Sequence, residues 1–90
     1  MKYIKNAQMQ FIEMEDSAAV FDPGSGETHV LNDIACEILQ KCEELGFREE
    51  IVHYFCEHYE GDAAEIASDV EEMIRELSGK GILLEREDDR

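Results

Sequence analysis

Apolar and polar residues alternate in the first third of the chain and follow helical spacing in the rest. Met9 and Phe11 alternate with Gln8 and Gln10, a mixed period-two signal. Ala18-Ala19-Val20-Phe21 is a short apolar run, set off by the polar turn Glu15-Asp16-Ser17. Asp22-Pro23-Gly24-Ser25-Gly26 is the strongest turn signal present, and Glu27-Thr28-His29-Val30-Leu31 follows it, alternating as far as Val30. Extended runs around a Pro/Gly turn predict a hairpin. The expectation is a three-stranded antiparallel meander over 7–14, 17–22 and 27–31.

Asn32 is a good N-cap and Asp33 suits a first helical turn. Ile34, Ala35, Ile38, Leu39 and Cys42 then recur at helical spacing, and Gly46 ends the run. A second helix is predicted from Arg48 to Tyr59, with Ile51, Val52, Phe55 and Tyr59 on one face. Asp62-Ala63-Ala64-Glu65 resembles a capping box. It opens a third helix over 63–78 that buries Ile66, Val70, Met73, Ile74 and Leu77. Gly79-Lys80-Gly81 closes it, and Ile82-Leu83-Leu84 reads as a last short extended segment. The fold class is therefore α+β and winged-helix-like: a meander, three helices and a C-terminal extended piece. A single domain is expected over 1–90, with its core at about 8–84 and frayed ends at 1–6 and 85–90.

Charge narrows the chemistry. The 90 residues carry 23 acidic and 8 basic side chains, a formal net charge of −15. The excess is spread along the chain: net −3 over 1–31, −6 over 32–61 and −6 over 62–90. Nucleic-acid affinity rests on Lys and Arg neutralising phosphates, so no nucleic-acid partner is expected. Anionic lipid is repelled for the same reason, and no apolar run approaches the roughly 20 residues that span a bilayer. Basic peptides or basic protein surfaces are the partners such a field attracts. Three cysteines, Cys36, Cys42 and Cys56, do not make a paired disulfide framework and read as reduced thiols in a cytoplasmic protein.

Candidate catalytic groups are sparse. His53, Cys56 and His58 come nearest to a metal set, but Cys56 and His58 are two apart and diverge on a helix. No Cys-x-x-Cys spacing completes four ligands, so neither metal nor cofactor is expected. Cys36 and Cys42 lie on an acid-rich helix, which raises a thiol's pKa and works against nucleophilic use. Gly24-Ser25-Gly26 precedes a strand rather than a helix and is a hairpin turn, not a phosphate loop. The chain is read as non-catalytic.

Binding remains. Helices two and three with the last strand look like a winged helix-turn-helix, yet the third helix carries Glu65, Asp69, Glu71, Glu72 and Glu76 against Arg75 alone. This is not DNA-reading chemistry. If the third strand lies at the sheet edge, its free N–H and C=O groups can pair with an extended peptide. An edge that simply faces solvent is the plain alternative.

The stretch Val20 to Asn32, followed by Ile34-Ala35 and Ile38-Leu39, resembles the coenzyme PQQ synthesis protein D (PqqD-like) family. The shared pattern is an Asp-Pro-x-x-Gly turn, a short strand ending in Leu-Asn, then an apolar helix. Asp69-Val70, Leu77 and Gly81-Ile82-Leu83 resemble the family's closing helix and tail, so the likeness covers about 8–84. Leu39 or its neighbours stand where the family commonly has Trp. Leu45-Gly46-Phe47-Arg48 replaces an Asp-Gly motif followed by Thr, which suggests a divergent branch.

The resemblance implies the fold called the RiPP recognition element. It implies a peptide chaperone that holds the leader of a ribosomally made precursor and presents it to a modifying enzyme, often a radical SAM protein. Carried over, the peptide-facing strand is Glu27, Thr28, His29, Val30 and Leu31. The groove side chains are Asp69, Val70, Met73 and Leu77, with core packing the favoured role for Val70 and Leu77. An acidic protein-binding module or DNA mimic is the alternative, a thiol or metal protein a weaker third. A monomer or weak homodimer is expected, since edge strands also pair with their own copies.

Overall fold

The computed structural model describes residues 2–15 and 17–86. Its elements are β1 (Lys2–Lys5), β2 (Gln10–Glu13), β3 (Ala18–Asp22), β4 (Glu27–Leu31), α1 (Asp33–Glu44), α2 (Arg48–His58), α3 (Ala63–Gly79) and β5 (Leu83–Arg86). The expected meander is β2–β3–β4, antiparallel throughout, with β3 in the centre.

The β3–β4 turn is built by its own side chains. Gly24 N–H donates to Asp22 Oδ1 at 2.9 Å, and the Ser25 hydroxyl donates to Asp22 Oδ2 at 3.1 Å. Gly26 N–H returns to the Asp22 carbonyl at 2.7 Å with φ at 78°, a left-handed angle that favours glycine there. At the far end of β4, Asn32 Oδ1 accepts from Ala35 N–H at 2.9 Å and caps α1. Asp62 caps α3 in the same way, through Ala64 N–H. These two caps fix where each helix begins relative to the strand or loop before it.

One core joins the layers. Val20 reaches it from the sheet, Ile38, Leu39 and Cys42 from α1, and Ile51 and Phe55 from α2. Val70, Ile74 and Leu77 come from α3, and Ile82 and Leu83 from the start of the last strand. Burying a large aliphatic side chain contributes about 1.5–3 kcal/mol, and this apolar set is the main source of stability.

The N-terminal residues depart from expectation. Lys2–Lys5, expected to fray, forms β1 and pairs antiparallel with β5, Lys2 opposite Arg86 and Lys5 opposite Leu83. The reason is Tyr3, only 7% exposed, whose hydroxyl donates to Glu85 Oε1 at 3.1 Å. Tyr3 N–H also donates to the Gly46 carbonyl at 2.7 Å. Gly46 has φ at 82°, and a Cβ there would lie 2.7 Å from the Lys2 stem, so glycine lets β1 approach the end of α1. Asn6 completes the strap, its N–H donating to the Ile82 carbonyl at 2.9 Å and its side chain to the Gly81 carbonyl at 2.9 Å. Glu85 and Arg86, also expected to fray, belong to β5. Met1, Asp16 of the expected polar turn, and tail residues 87–90 lie outside the described residues.

Candidate peptide-binding site

β4 pairs with β3 on one side, and among the described residues no strand pairs with its other side. An edge strand presents a row of unpaired N–H and C=O groups. Cross-strand partners share a face, so the register sorts the side chains. Leu31 and His29 share the core-facing side with Ala18 and Val20. Val30 and Thr28 share the opposite side with Ala19 and Phe21. Leu31 is accordingly 4% exposed and Val30 72%. His29 is half-buried, its Nε2 lying 3.8 Å from Glu27 Oε2.

A groove of about 130 Å³ lies beside this strand, between its end, the start of α1 and the last two turns of α3. Val30, Leu31, Met73 and Leu77 line it, four of the residues expected at a peptide site. Asn32, Ala35, Glu76 and Lys80 line it as well and were not anticipated. The signal for the last two was present in the helical spacing: positions 69, 73, 76 and 80 follow one another by four, three and four, which keeps them on one face. Asn32 takes part because its backbone continues β4 while its side chain caps α1.

The other expected residues sit differently. Asp69 is exposed and lies one turn before Met73, beyond the groove lining. Val70 is 4% exposed and belongs to the core, as does Leu77 at 3%, although Leu77 also forms part of the groove wall. Glu27, Thr28 and His29 run along the edge away from the groove. Chemically the groove offers an apolar wall from Leu31, Met73 and Leu77, with Glu76 and Lys80 at its rim. An adaptable thioether beside an unpaired strand edge suits an extended peptide with an apolar anchor.

The candidate thiols and histidines elsewhere are buried or sit in local contacts. Burial raises the Cys36 thiol, with the Asp33 and Glu13 carboxylates adding to the effect, and burial pushes Cys42 up to about 12. Both thiols stay protonated at neutral pH and are poor nucleophiles. His53 Nε2 lies 2.8 Å from Glu57 Oε1, and His58 stacks on Tyr54 while its Nδ1–H donates to the Tyr54 carbonyl at 2.8 Å. Among the described residues no group of three or more His, Cys, Asp and Glu could hold a metal ion. Nor is any helix of the described residues long and apolar enough to cross a membrane. A larger concavity of about 600 Å³ lies along α2, lined by Leu45, Tyr54 and His53 and rimmed by Glu49, Glu50 and Glu57. No residue of β4 lines it.

Fold and edge together define a class: a small α+β module whose exposed strand runs beside an amphipathic helix. Solved structures share that fold. A lasso peptide synthetase B1 complexed with the leader peptide matches with a TM-score of 0.81 at 19% identity, over 94% of this chain and 100% of that one. TbiB1 in complex with the TbiA(beta) leader peptide matches with a TM-score of 0.80 at 22% identity, over 94% and 99%. A heterocyclase in complex with substrate and cofactor matches with a TM-score of 0.66 at 15% identity, over the whole of this chain but 11% of its own.

This chain belongs to the coenzyme PQQ synthesis protein D (PqqD) family, whose profile matches residues 17–83. A PqqA binding protein from Rhodopseudomonas palustris (strain BisB5) is 34% identical over 83 residues, 90% of this chain and 78% of the relative. A second PqqA binding protein, from strain HaA2 of that species, matches to the same extent.

Proposed function

We propose that this chain is a non-catalytic peptide chaperone. It binds the leader of a ribosomally synthesised precursor peptide by adding it as a strand to β4, and presents it to a modifying enzyme in the cytoplasm. Backbone pairing along Glu27–Leu31 supplies affinity with little demand on sequence, and the groove selects side chains. Met73 and Leu77 receive an apolar anchor of the leader. Asp69, with Glu76 nearer the groove, draws a basic leader residue, while Lys80 offers a counter-charge for a leader carboxylate. Val70 supports α3 from within the core. A radical SAM enzyme is the partner the family resemblance favours.

The observation that carries this reading is the unpaired side of β4 lying beside a partly apolar groove. The family membership supports it, as do the curated relatives' name, PqqA binding protein, and the leader-peptide complexes among the solved structures that share the fold. The test is an NMR titration of labelled protein with synthetic leaders of short precursor peptides from the same genome. Amide shifts along Glu27–Leu31, together with methyl shifts at Met73 and Leu77, are expected. Saturable binding whose shifts map to the α2 concavity and leave β4 silent overturns the proposal.

A further inference from the structure

The three-stranded sheet has a second surface that strand addition leaves open. On the side away from the core, Gln10, Phe21 and Thr28 form one cross-strand row, and Ile12, Ala19 and Val30 form the next. None of the six is charged, in a chain where 34% of residues are. Ile12 is 55% exposed and Val30 72%, and Met14, just past β2, is 47%. Phe21 is half-buried and stands apart from the core cluster, which reaches the sheet through Val20 on the opposite side.

The register turns Glu13, Asp22 and Glu27 to the opposite, core-facing side with Ala18, Val20 and His29, so none of the strands' carboxylates stands on this face, although the chain around it carries a net charge of −15. A plain solvated sheet face carries polar side chains in alternation. A charge-depleted face with exposed aliphatic side chains is instead the composition found at the centre of a protein–protein interface. Two copies of a chain with net charge −15 repel one another, so a second copy suits this face poorly, whereas a surface carrying lysine or arginine around an apolar ridge is drawn to it.

We propose that the outer face of β2–β3–β4 docks a different protein, one presenting an apolar ridge flanked by lysine or arginine, and that this partner also touches the peptide bound at β4. The second clause rests on the strand-addition reading above. A strand paired to β4 extends the sheet and sets every second side chain beside Val30 or Thr28, with Cβ atoms about 5 Å apart. The partner then meets one continuous surface, part adaptor and part leader. Each ligand strengthens the binding of the other, as linkage requires.

Ile12→Lys tests this. Ile12 is on β2, two strands and about 10 Å from β4, so the leader site is untouched. The probe is the purified peptide-modifying enzyme encoded beside the precursor gene, titrated by biolayer interferometry onto the full-length chain with and without leader. Leader affinity is read separately by fluorescence anisotropy, and circular dichroism checks the fold.

The expected result has three parts. Leader affinity of Ile12→Lys stays within about twofold of wild type, enzyme affinity falls at least tenfold, and wild-type affinity for enzyme rises when leader is present. Enzyme that binds Ile12→Lys as well as wild type, or fails to bind the wild type, overturns the proposal. A wild-type dimer in sedimentation that Ile12→Lys dissolves overturns it too, by giving the face to a second copy. Failure of the wild type to bind any leader is a failure of strand addition and shows in the anisotropy assay alone.

Discussion

Strand addition can be tested through the backbone of the peptide rather than through side chains of the protein. The perturbation is N-methylation of a bound leader, one amide at a time. β4 has five residues, and the pairing side alternates along a strand, so two or three of them offer N–H and C=O outward. That allows about four to six hydrogen bonds, each netting roughly 0.5–1.5 kcal/mol. Methylating an amide that faces β4 deletes one bond and strands a carbonyl acceptor. The combined loss is about 1–3 kcal/mol, roughly 5- to 150-fold in Kd. An amide pointing away from β4 loses little. Competition fluorescence anisotropy should therefore trace a sawtooth of period two across about five leader positions, the length of β4. Losses that are uniform, or that recur every three to four residues as for a helix lying in the groove, would refute strand addition.

Three further outcomes follow from the packing and the titrating groups. Met73→Asp should weaken leader binding at least tenfold with little change in melting temperature, because Met73 is only partly buried; Leu77→Ala, at a site 3% exposed, should cost about 2–5 kcal/mol in chemical denaturation. Tyr3→Ala should destabilise by about 3 kcal/mol through loss of an aromatic that is 7% exposed, whereas a frayed N-terminus would show no change. The hydrogen bond to Glu37 raises Tyr59 from its ordinary 10 to about 12, and burial raises Cys42 from 9 to about 12. The unfolded chain gives up these protons first, so stability is full below pH 9 and falls between about 9 and 12. Tyr59→Phe should flatten the upper part of that fall in urea titrations read by circular dichroism, and an unchanged slope would argue against the contact.

Much of this fold was written in local pattern. The Asp22–Gly26 turn, the Asn32 and Asp62 caps, and the helical spacing after each depend on residues within a few positions; β2, β3, β4 and α2 fall inside the expected bounds, and α3 runs one residue beyond them. The peptide-facing strand Glu27–Leu31 and the groove residues Met73 and Leu77 were implied by the resemblance to the PqqD-like family, not by periodicity, because strand alternation and helix spacing assign faces but say nothing of a partner. The β1–β5 pairing was legible in neither. Lys2–Lys5 has four residues and two lysines, and its strand character comes from Glu85, Gly46 and Ile82, all more than 40 positions away. The lining of the groove was likewise settled by packing. Val70 and Met73 lie on one amphipathic helix, yet Val70 is buried in the core and Met73 stays partly open at the groove, because the packing of α3 against α2 and β5 decides which of its apolar side chains are covered. Local sequence specifies which faces are apolar. Only contacts between distant segments determine which of them is covered and which is left for a partner.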